Sequence, residues 1–256
     1  MGMIGPGGVD VAPFIGINGI EYNMIMDGGK EVWKSIVDQT VLNGLLLWCS
    51  GTKSSKTNSR WDDISGNNRH ISLSNATVSD SGYAFNGINT LGTIPLNLNI
   101  WNSGASCIVI AKYTTVKNYS GVVGDHYSTG ASGYIGGQYQ SGSIYFGFHP
   151  PTTGTQLFTL AFNNSNFTNG TTEFNEIATI YDRNILSVYI NGVLKQSKTI
   201  GQISTVSANM VLGRAFNLSD RYLNGNVRDV KFYNRALSGA EVLQNYNQNK
   251  SEGLVN

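Results

Sequence analysis

The chain has 256 residues and a formal net charge of +1, from 17 Lys and Arg against 16 Asp and Glu, with no block of like charge. A grip on duplex nucleic acid needs several clustered cations, so this balance excludes it as the organising function. Hydrophobic residues make up 40%, enough for a real core, while charged residues make up only 13%, roughly half of the usual share of about 25%.

Gly, Asn, Ser and Thr fill the difference, and with Tyr, Ile and Val they describe short strands joined by many turns. The size suits one large β-sandwich with a small appendage, or two small domains. The opening MGMIGPGGVDVAPFIGING has neither a basic n-region nor a long apolar h-region, so no signal peptide is expected. The longest apolar runs are too short to span a bilayer. Within residues 1–40, MIMDGGKEVW reads as a small hairpin with Asp27-Gly28-Gly29 at its tip. A lone hairpin is not stable in water, so Trp33, Ile36 and Val37 require an apolar partner: the main domain, another copy, or a different protein.

From Leu42 onward strand signals recur at short intervals. They fall at Leu45–Trp48, His70–Leu73, Gly82–Phe85, Cys107–Lys112, Val122–Asp125, Gly133–Gln138, Ser143–Phe148 and Leu157–Phe162. Others follow at Glu176–Tyr181, Ile185–Ile190, Val193–Ser197, Met210–Leu212 and Val227–Tyr233. This density predicts an all-β sandwich or barrel. The basic stretch Lys53 to Arg60 sits in a Ser/Thr/Asn-rich loop and reads as solvated. Cys49 and Cys107 lie in apolar strand-like runs; they are two buried thiols, or one bridge if their strands are neighbours. Asn191-Gly192, between LSVYI and VLKQS, is the preferred pair for a type I′ hairpin turn. Ser238 with Glu241 forms a capping box, and Val242, Leu243 and Tyr246 give the apolar stripe of a short C-terminal helix.

Four runs resemble one family in its own order. WDDISGNNRH (61–70) and YAFNG (83–87) are similar to the opening strands of laminin-G-like, concanavalin A-like domains. EIATIYDRNILSVYINGVL (176–194) is similar to that family's central hairpin, and LNGNVRDVKFYNRALSGAEVLQNYN (223–247) to its closing block. The resemblance spans residues 42–250 and implies a jelly-roll sandwich with a small N-terminal β-hairpin arm and a short C-terminal helix. It implies structural roles for Trp61, Asp63, Gly66, His70, Tyr189, Asn191, Gly192 and Arg235, with Arg235 hydrogen-bonded to a sheet edge or to Asp63 or Asp229. It also implies Ca²⁺ as the cofactor to look for, with Asp125 in VVGDHYSTG and Asp220 in NLSDR as loop carboxylates suited to that ion. The closing block is especially similar to versions in tailed-bacteriophage virion proteins.

Glycosidases on related jelly rolls place two carboxylates on one strand face, at i and i+2. None of the sixteen carboxylates stands two residues from another; Asp62 and Asp63 are adjacent, and Glu173 and Glu176 are three apart. No G-x-S-x-G, H-E-x-x-H or P-loop occurs. His70, His126 and His149 stand without a second residue at metal-ligand spacing. Tyr119, His126, Tyr127, Tyr134 and Tyr139 cluster in a Gly/Ser-rich stretch. They are candidates for sugar binding at a loop rim, or strand residues packed in the core.

The resulting expectation is a non-enzymatic structural protein of a tailed-phage virion, a head fibre or tail fibre made in the host cytoplasm. Residues 1–40 would anchor it to other virion proteins and join it to itself, as a homotrimer by analogy with phage fibres. Residues 41–250 would form an outward jelly roll that binds host or environmental glycans, followed by a tail at 251–256. The rival is an extracellular carbohydrate-binding module, secreted by or displayed on a bacterium; a glycoside hydrolase is disfavoured by the carboxylate spacing. No nucleic-acid or membrane partner is expected.

Overall fold

The computed structural model describes backbone and side chains at 40–124, 135–139, 141, 143–148, 173–205, 207–215 and 220–255. It describes backbone alone in the strand residues 3–4, 10–11, 14–15, 21–27, 30–35, 125, 133–134, 140 and 158–162. Before residue 40 lie β1 (Met3–Ile4), β2 (Asp10–Val11), β3 (Phe14–Ile15), β4 (Glu21–Asp27) and β5 (Lys30–Ser35). They pair among themselves, β1 with β2 and β4 with both β3 and β5. The β4–β5 hairpin closes at Asp27↔Lys30, leaving Gly28-Gly29 as its two-residue loop. Trp33 lies on β5; Ile36 and Val37 lie outside the described residues.

Next come β6 (Leu45–Ser50), β7 (Lys56–Thr57), β8 (Arg60–Trp61), β9 (Ile71–Ser74), β10 (Thr77–Ser79), β11 (Gly82–Asn86) and β12 (Leu91–Asn97). A 3-10 helix, Leu98–Ser103, leads into β13 (Ala105–Thr115), β14 (Val123–Asp125), β15 (Gly133–Gln140), β16 (Ser143–Phe148) and β17 (Phe158–Phe162). The chain continues through β18 (Asn175–Tyr181), β19 (Ile185–Ile190), β20 (Val193–Thr199), β21 (Asn209–Leu212), β22 (Asn224–Tyr233) and α1 (Gly239–Ser251). No helix among the described residues is long and apolar enough to cross a membrane.

One layer of the sandwich is the antiparallel sheet β10-β11-β22-β13-β18-β19-β20, with β6 alongside the C-terminal half of β22. The other layer runs β14-β21-β12-β9-β8-β7. The sheet β15-β16-β17 joins its edge through the Gly121↔Gln138 bridge and the Val122 N–H donated to the Gly137 carbonyl at 3.1 Å. Simple alternation sets most strands: β9 buries Ile71 and Leu73 and exposes Ser72 and Ser74, and β19 buries Leu186, Val188 and Ile190. These inward residues meet Trp61, Tyr83, Phe85, Val109, Phe146 and Phe232 in one core.

The centre of the first sheet is different, because all seven residues of β18 are buried. Its inner face packs on the core, and its outer face lies under α1 and the C-terminal residues Leu254 and Val255. The expected capping box is present: Ser238 accepts from the Glu241 N–H, and Glu241 accepts from the Ser238 N–H at 2.8 Å. The expected apolar stripe of α1 is present in part: Val242 is buried and Tyr246 packs on Ile110, Phe174, Leu254 and Val255, but Leu243 is exposed, and the other inward positions are Asn245, Gln248 and Asn249. Amides face the sheet there because the sheet presents charges to them.

The turn at Asn191-Gly192 has φ of 51° and 74°, the two positive values that type I′ requires. Cys49 and Cys107 are free and buried. β22 runs between them, with Val230 opposite Cys49 and Phe232 opposite Cys107, so two strand spacings, about 10 Å, separate the sulfurs' strands and no bridge can form. Burial pushes both thiols above their ordinary pKa. The sequence missed β12, whose Pro95 argues against a strand interior. The structure accommodates it at a register shift between Ile94 and Asn97.

Candidate functional site

Two turns meet at one edge of the second layer. In the first, Tyr119 adopts φ of 68°, held by its N–H donating to the Tyr139 carbonyl at 2.6 Å and by the Tyr139 N–H donating to Ser120 at 2.9 Å. The Gln138 amide donates to the Tyr119 carbonyl at 3.2 Å, and the Ser141 N–H donates to the Asn118 side chain at 3.0 Å. The second turn rises after β21, where Arg214 bridges to Tyr222. The Gly121 N–H donates to the Arg221 carbonyl at 3.4 Å and joins the two.

The side chains converge accordingly. The Arg221 guanidinium lies 4.6 Å from the Tyr119 ring centroid, and Arg214 lies 5.4 Å from the Tyr222 ring. Arg214 also donates to the Tyr222 hydroxyl at 3.3 Å. Tyr119, Tyr139, Arg221 and Tyr222 are half-buried, and Arg214 is buried. Asp220 is exposed, with an oxygen 3.7 Å from Arg221. Planar cations and aromatic faces at a half-exposed edge can stack on the C–H face of a sugar while donating to its oxygens.

Of the aromatic candidates, the structure brings Tyr119 and Tyr139 together, and Tyr139 also leans on the core. Tyr134 lies on β15 with its side chain outside the described residues, and His126 and Tyr127 lie outside them altogether. Asp125 is not in a loop: it ends β14 opposite Met210, and its side chain lies outside the described residues. Four residues of extended chain, about 13 Å, separate it from Gly121, where the Asp220 turn docks. Among the described residues no group of three His, Cys, Asp or Glu gathers at one point. The sequence reading missed Arg214, Arg221 and Tyr222, although R-A-F…S-D-R-Y places an Arg on each side of a turn and a Tyr beside one of them.

A second polar cluster lies on the outer face of the first sheet. The Lys231 ammonium donates to Asp229 at 2.5 Å and to the Asn249 side-chain oxygen at 2.8 Å. The Trp48 indole N–H donates to Asp229 at 3.0 Å, and the Asn249 amide donates to Glu176 at 2.5 Å. Glu176 and Asp229 thus share one sheet face from strands two apart, on either side of Ile110, linked through Asn249 and Lys231. Glu176, Asp229 and Lys231 each have 0% exposure beneath α1, so no substrate reaches them.

The remaining motif residues hold the fold. Asp63 accepts from the N–H groups of Trp48, Ser65 and Arg69 and from the Ser65 hydroxyl, each at 2.9 Å. Burial pushes its carboxyl up, and these bonds outweigh it and hold the pKa below the ordinary value. His70 Nδ1 accepts from the Asp63 N–H at 3.1 Å. Arg235 pairs with neither Asp63 nor Asp229. It forks onto Glu241 at 2.9 and 2.5 Å and donates to the Asn43 carbonyl at 3.0 Å, because the capping box already points the Glu241 carboxylate toward it. In the basic stretch, Lys53 pairs with Glu252 at 2.5 Å, Lys56 donates to the Gly51, Ser79 and Asp80 carbonyls, and Arg60 pairs with Asp62 at 2.5 Å.

The model of the concanavalin A-like lectin/glucanases superfamily of laminin-G type matches residues 65–243. No curated protein sequence matches the chain. Among solved structures, a Trypanosoma rangeli sialidase in complex with sialic acid is similar at TM-score 0.61 and 16% identity, over 81% of this chain and 33% of that one. The receptor binding domain of botulinum neurotoxin C/D mosaic serotype is similar at TM-score 0.59 and 17% identity, over 80% of this chain and 51% of that one. The botulinum neurotoxin serotype D binding domain is similar at TM-score 0.58 and 18% identity, over 80% and 52%. The chain thus spans a third to a half of these proteins, and at such identities the likeness is one of fold.

Proposed function

The chain belongs to the concanavalin A-like lectin/glucanases superfamily, and from that premise we propose that it is a sugar-binding, non-catalytic module displayed on a tailed-phage virion. The observation that carries the binding is the edge where Arg221 stacks on Tyr119 beside the Arg214–Tyr222 pair. The non-catalytic part of the proposal is supported by the carboxylates: Glu176 and Asp229, which share one sheet face, are sealed under α1. Most glycoside hydrolases use two carboxyl groups flanking an accessible bond. The virion setting rests on the similarity of residues 223–247 to phage virion proteins. In it, residues 1–40 anchor the module to its particle and join three copies, and Ca²⁺ at Asp125 or Asp220 remains part of the proposal.

The test is a glycan array probed with the full chain. Binding is expected, and Tyr119→Ala and Arg221→Ala should each weaken it at least tenfold while leaving the fold intact. Unchanged binding in both variants would move the site elsewhere, and sustained release of reducing ends from the bound glycan would overturn the non-catalytic reading.

A further inference from the structure

The sheet face under α1 buries two carboxyl groups and one ammonium. Fully ionised, Glu176, Asp229 and Lys231 would enclose one uncompensated negative charge, and burying an ion without a partner costs several kcal/mol even after relaxation. The two acids are not equally provided for. Asp229 receives the Lys231 ammonium on one oxygen and the Trp48 indole N–H on the other. Glu176 receives only the Asn249 amide, on Oε2, and its buried Oε1 has no hydrogen-bond partner.

Among the described residues no other cation forms an ion pair with either acid, and Lys112 and Arg228, at the margin, lie over the Phe174 ring. β13 contributes Ile108 and Ile110, and β22 contributes Tyr233, whose hydroxyl lies 3.0 Å from the Val41 carbonyl as its donor. α1 contributes the amides of Asn245, Gln248 and Asn249. The charged groups at the margin are matched already: Lys53 with Glu252, and Arg235 with Glu241. Arg228 turns to the Gly253 and Leu254 carbonyls.

We propose that Glu176 and Asp229 hold one proton between them, seated on Glu176, and that this proton fastens α1 to the sheet, so that the C-terminal helix is a clamp that tightens in mildly acidic solution. A neutral Glu176 ends the charge imbalance while Oε2 keeps its bond from Asn249. Loss of the proton leaves a second buried anion on the sheet face that carries Asp229, with one donor, and the element that can yield is the helix carrying that donor.

The titration agrees in direction. Burial pushes Glu176 up to about 7, with Asp229 adding to the rise and the Asn249 bond and Lys231 opposing it. Asp229 is raised as well, by burial first. Because the folded pKa of Glu176 stands above its ordinary value of 4.5, the contribution is complete below that value. It declines as pH rises and is gone above the folded pKa. Asp63 and Glu241, whose carboxyls are depressed, act in the opposite sense and only at lower pH, so they do not mask the change from about pH 5 to about 7.

Hydrogen exchange of the α1 amides in the full chain, corrected for the intrinsic rate at each pH, reads the clamp directly. From about pH 5 to about 7 the opening constant of 239–251 should rise by up to about tenfold per pH unit. In Glu176→Gln, a neutral residue of the same shape, it should not change. A flat profile in the native chain, or the same slope in Glu176→Gln, overturns the proposal. Should that variant fail to fold, carboxyl-carbon NMR of the native chain decides: one carboxyl titrating near neutrality supports the buried proton, and complete ionisation of every carboxyl by about pH 6 overturns it.

Discussion

The cluster under α1 and the edge around Tyr119 are built from the same kinds of groups, cations beside aromatic rings, yet they answer to different rules. Lys231 lies 5.0 Å from the Trp48 ring with no exposure, and Arg221 lies 4.6 Å from the Tyr119 ring with its side chain 19% exposed. Where solvent is excluded, a charge that is not matched is costly, and the one mismatch there, at Glu176, becomes a titration. Where solvent is present the charges are screened, the pairing contributes little to stability, and the same groups remain able to exchange water for a ligand. Polar residues on one scaffold thus divide into those that hold it and those that face outward, and exposure is what divides them.

Three substitutions should separate the two regions, in descending order of effect. Lys231→Met removes the ammonium of the cluster under α1 and leaves Asp229 and Glu176 buried without a cation; a loss of about 3–5 kcal/mol is expected in denaturant unfolding near neutral pH. A loss below about 1 kcal/mol would mean the cluster is wetter than its exposure says. Gly192→Val tests the β19–β20 turn where it packs on α1. A Cβ there stands 3.0 Å from the Tyr246 ring and 3.1 Å from Leu243, on backbone with φ of 74°. The cost should be about 1–3 kcal/mol, and an unchanged midpoint would show that the turn relaxes freely. Arg221→Ala should shift stability by no more than about 0.5 kcal/mol; a loss as large as that of Lys231→Met would erase the distinction drawn between the regions.

Much of the scaffold could be read from the chain because it depends on local signals. Alternation in ISLS and ILSVYI, the Asn191-Gly192 pair and the Ser238–Glu241 box each specify their geometry within a few residues. What could not be read depends on juxtaposition. Asn245 and Asn249 look like the polar face of a surface helix until a sheet carrying Asp229 and Lys231 is placed beneath them. Asp229 and Lys231, two apart on one strand, share a face, and a charged pair inside the apolar run VRDVKFY is a legible sign of a buried bridge. Glu176 joins them only through the register of β13 between β18 and β22. The edge site was half legible: its tyrosines lie in one stretch, while Arg214, Arg221 and Tyr222 arrive from about a hundred residues later in the chain.

The pairing of β6 with β22 sets the order in which this molecule can be made. Trp48 meets Asp229 across 181 positions of sequence, and the Val41 N–H reaches Asn245 across 204. On the ribosome, β6 emerges early and has no neighbour on that side until β22, the last strand of the sandwich, has followed, and α1 cannot seal the charged face before then. The domain therefore closes only after nearly all of it has been synthesised, and closing so long a loop makes for a slow folder. Until that moment the strands already released stand with unpaired edges, exposed to whatever holds nascent chains apart.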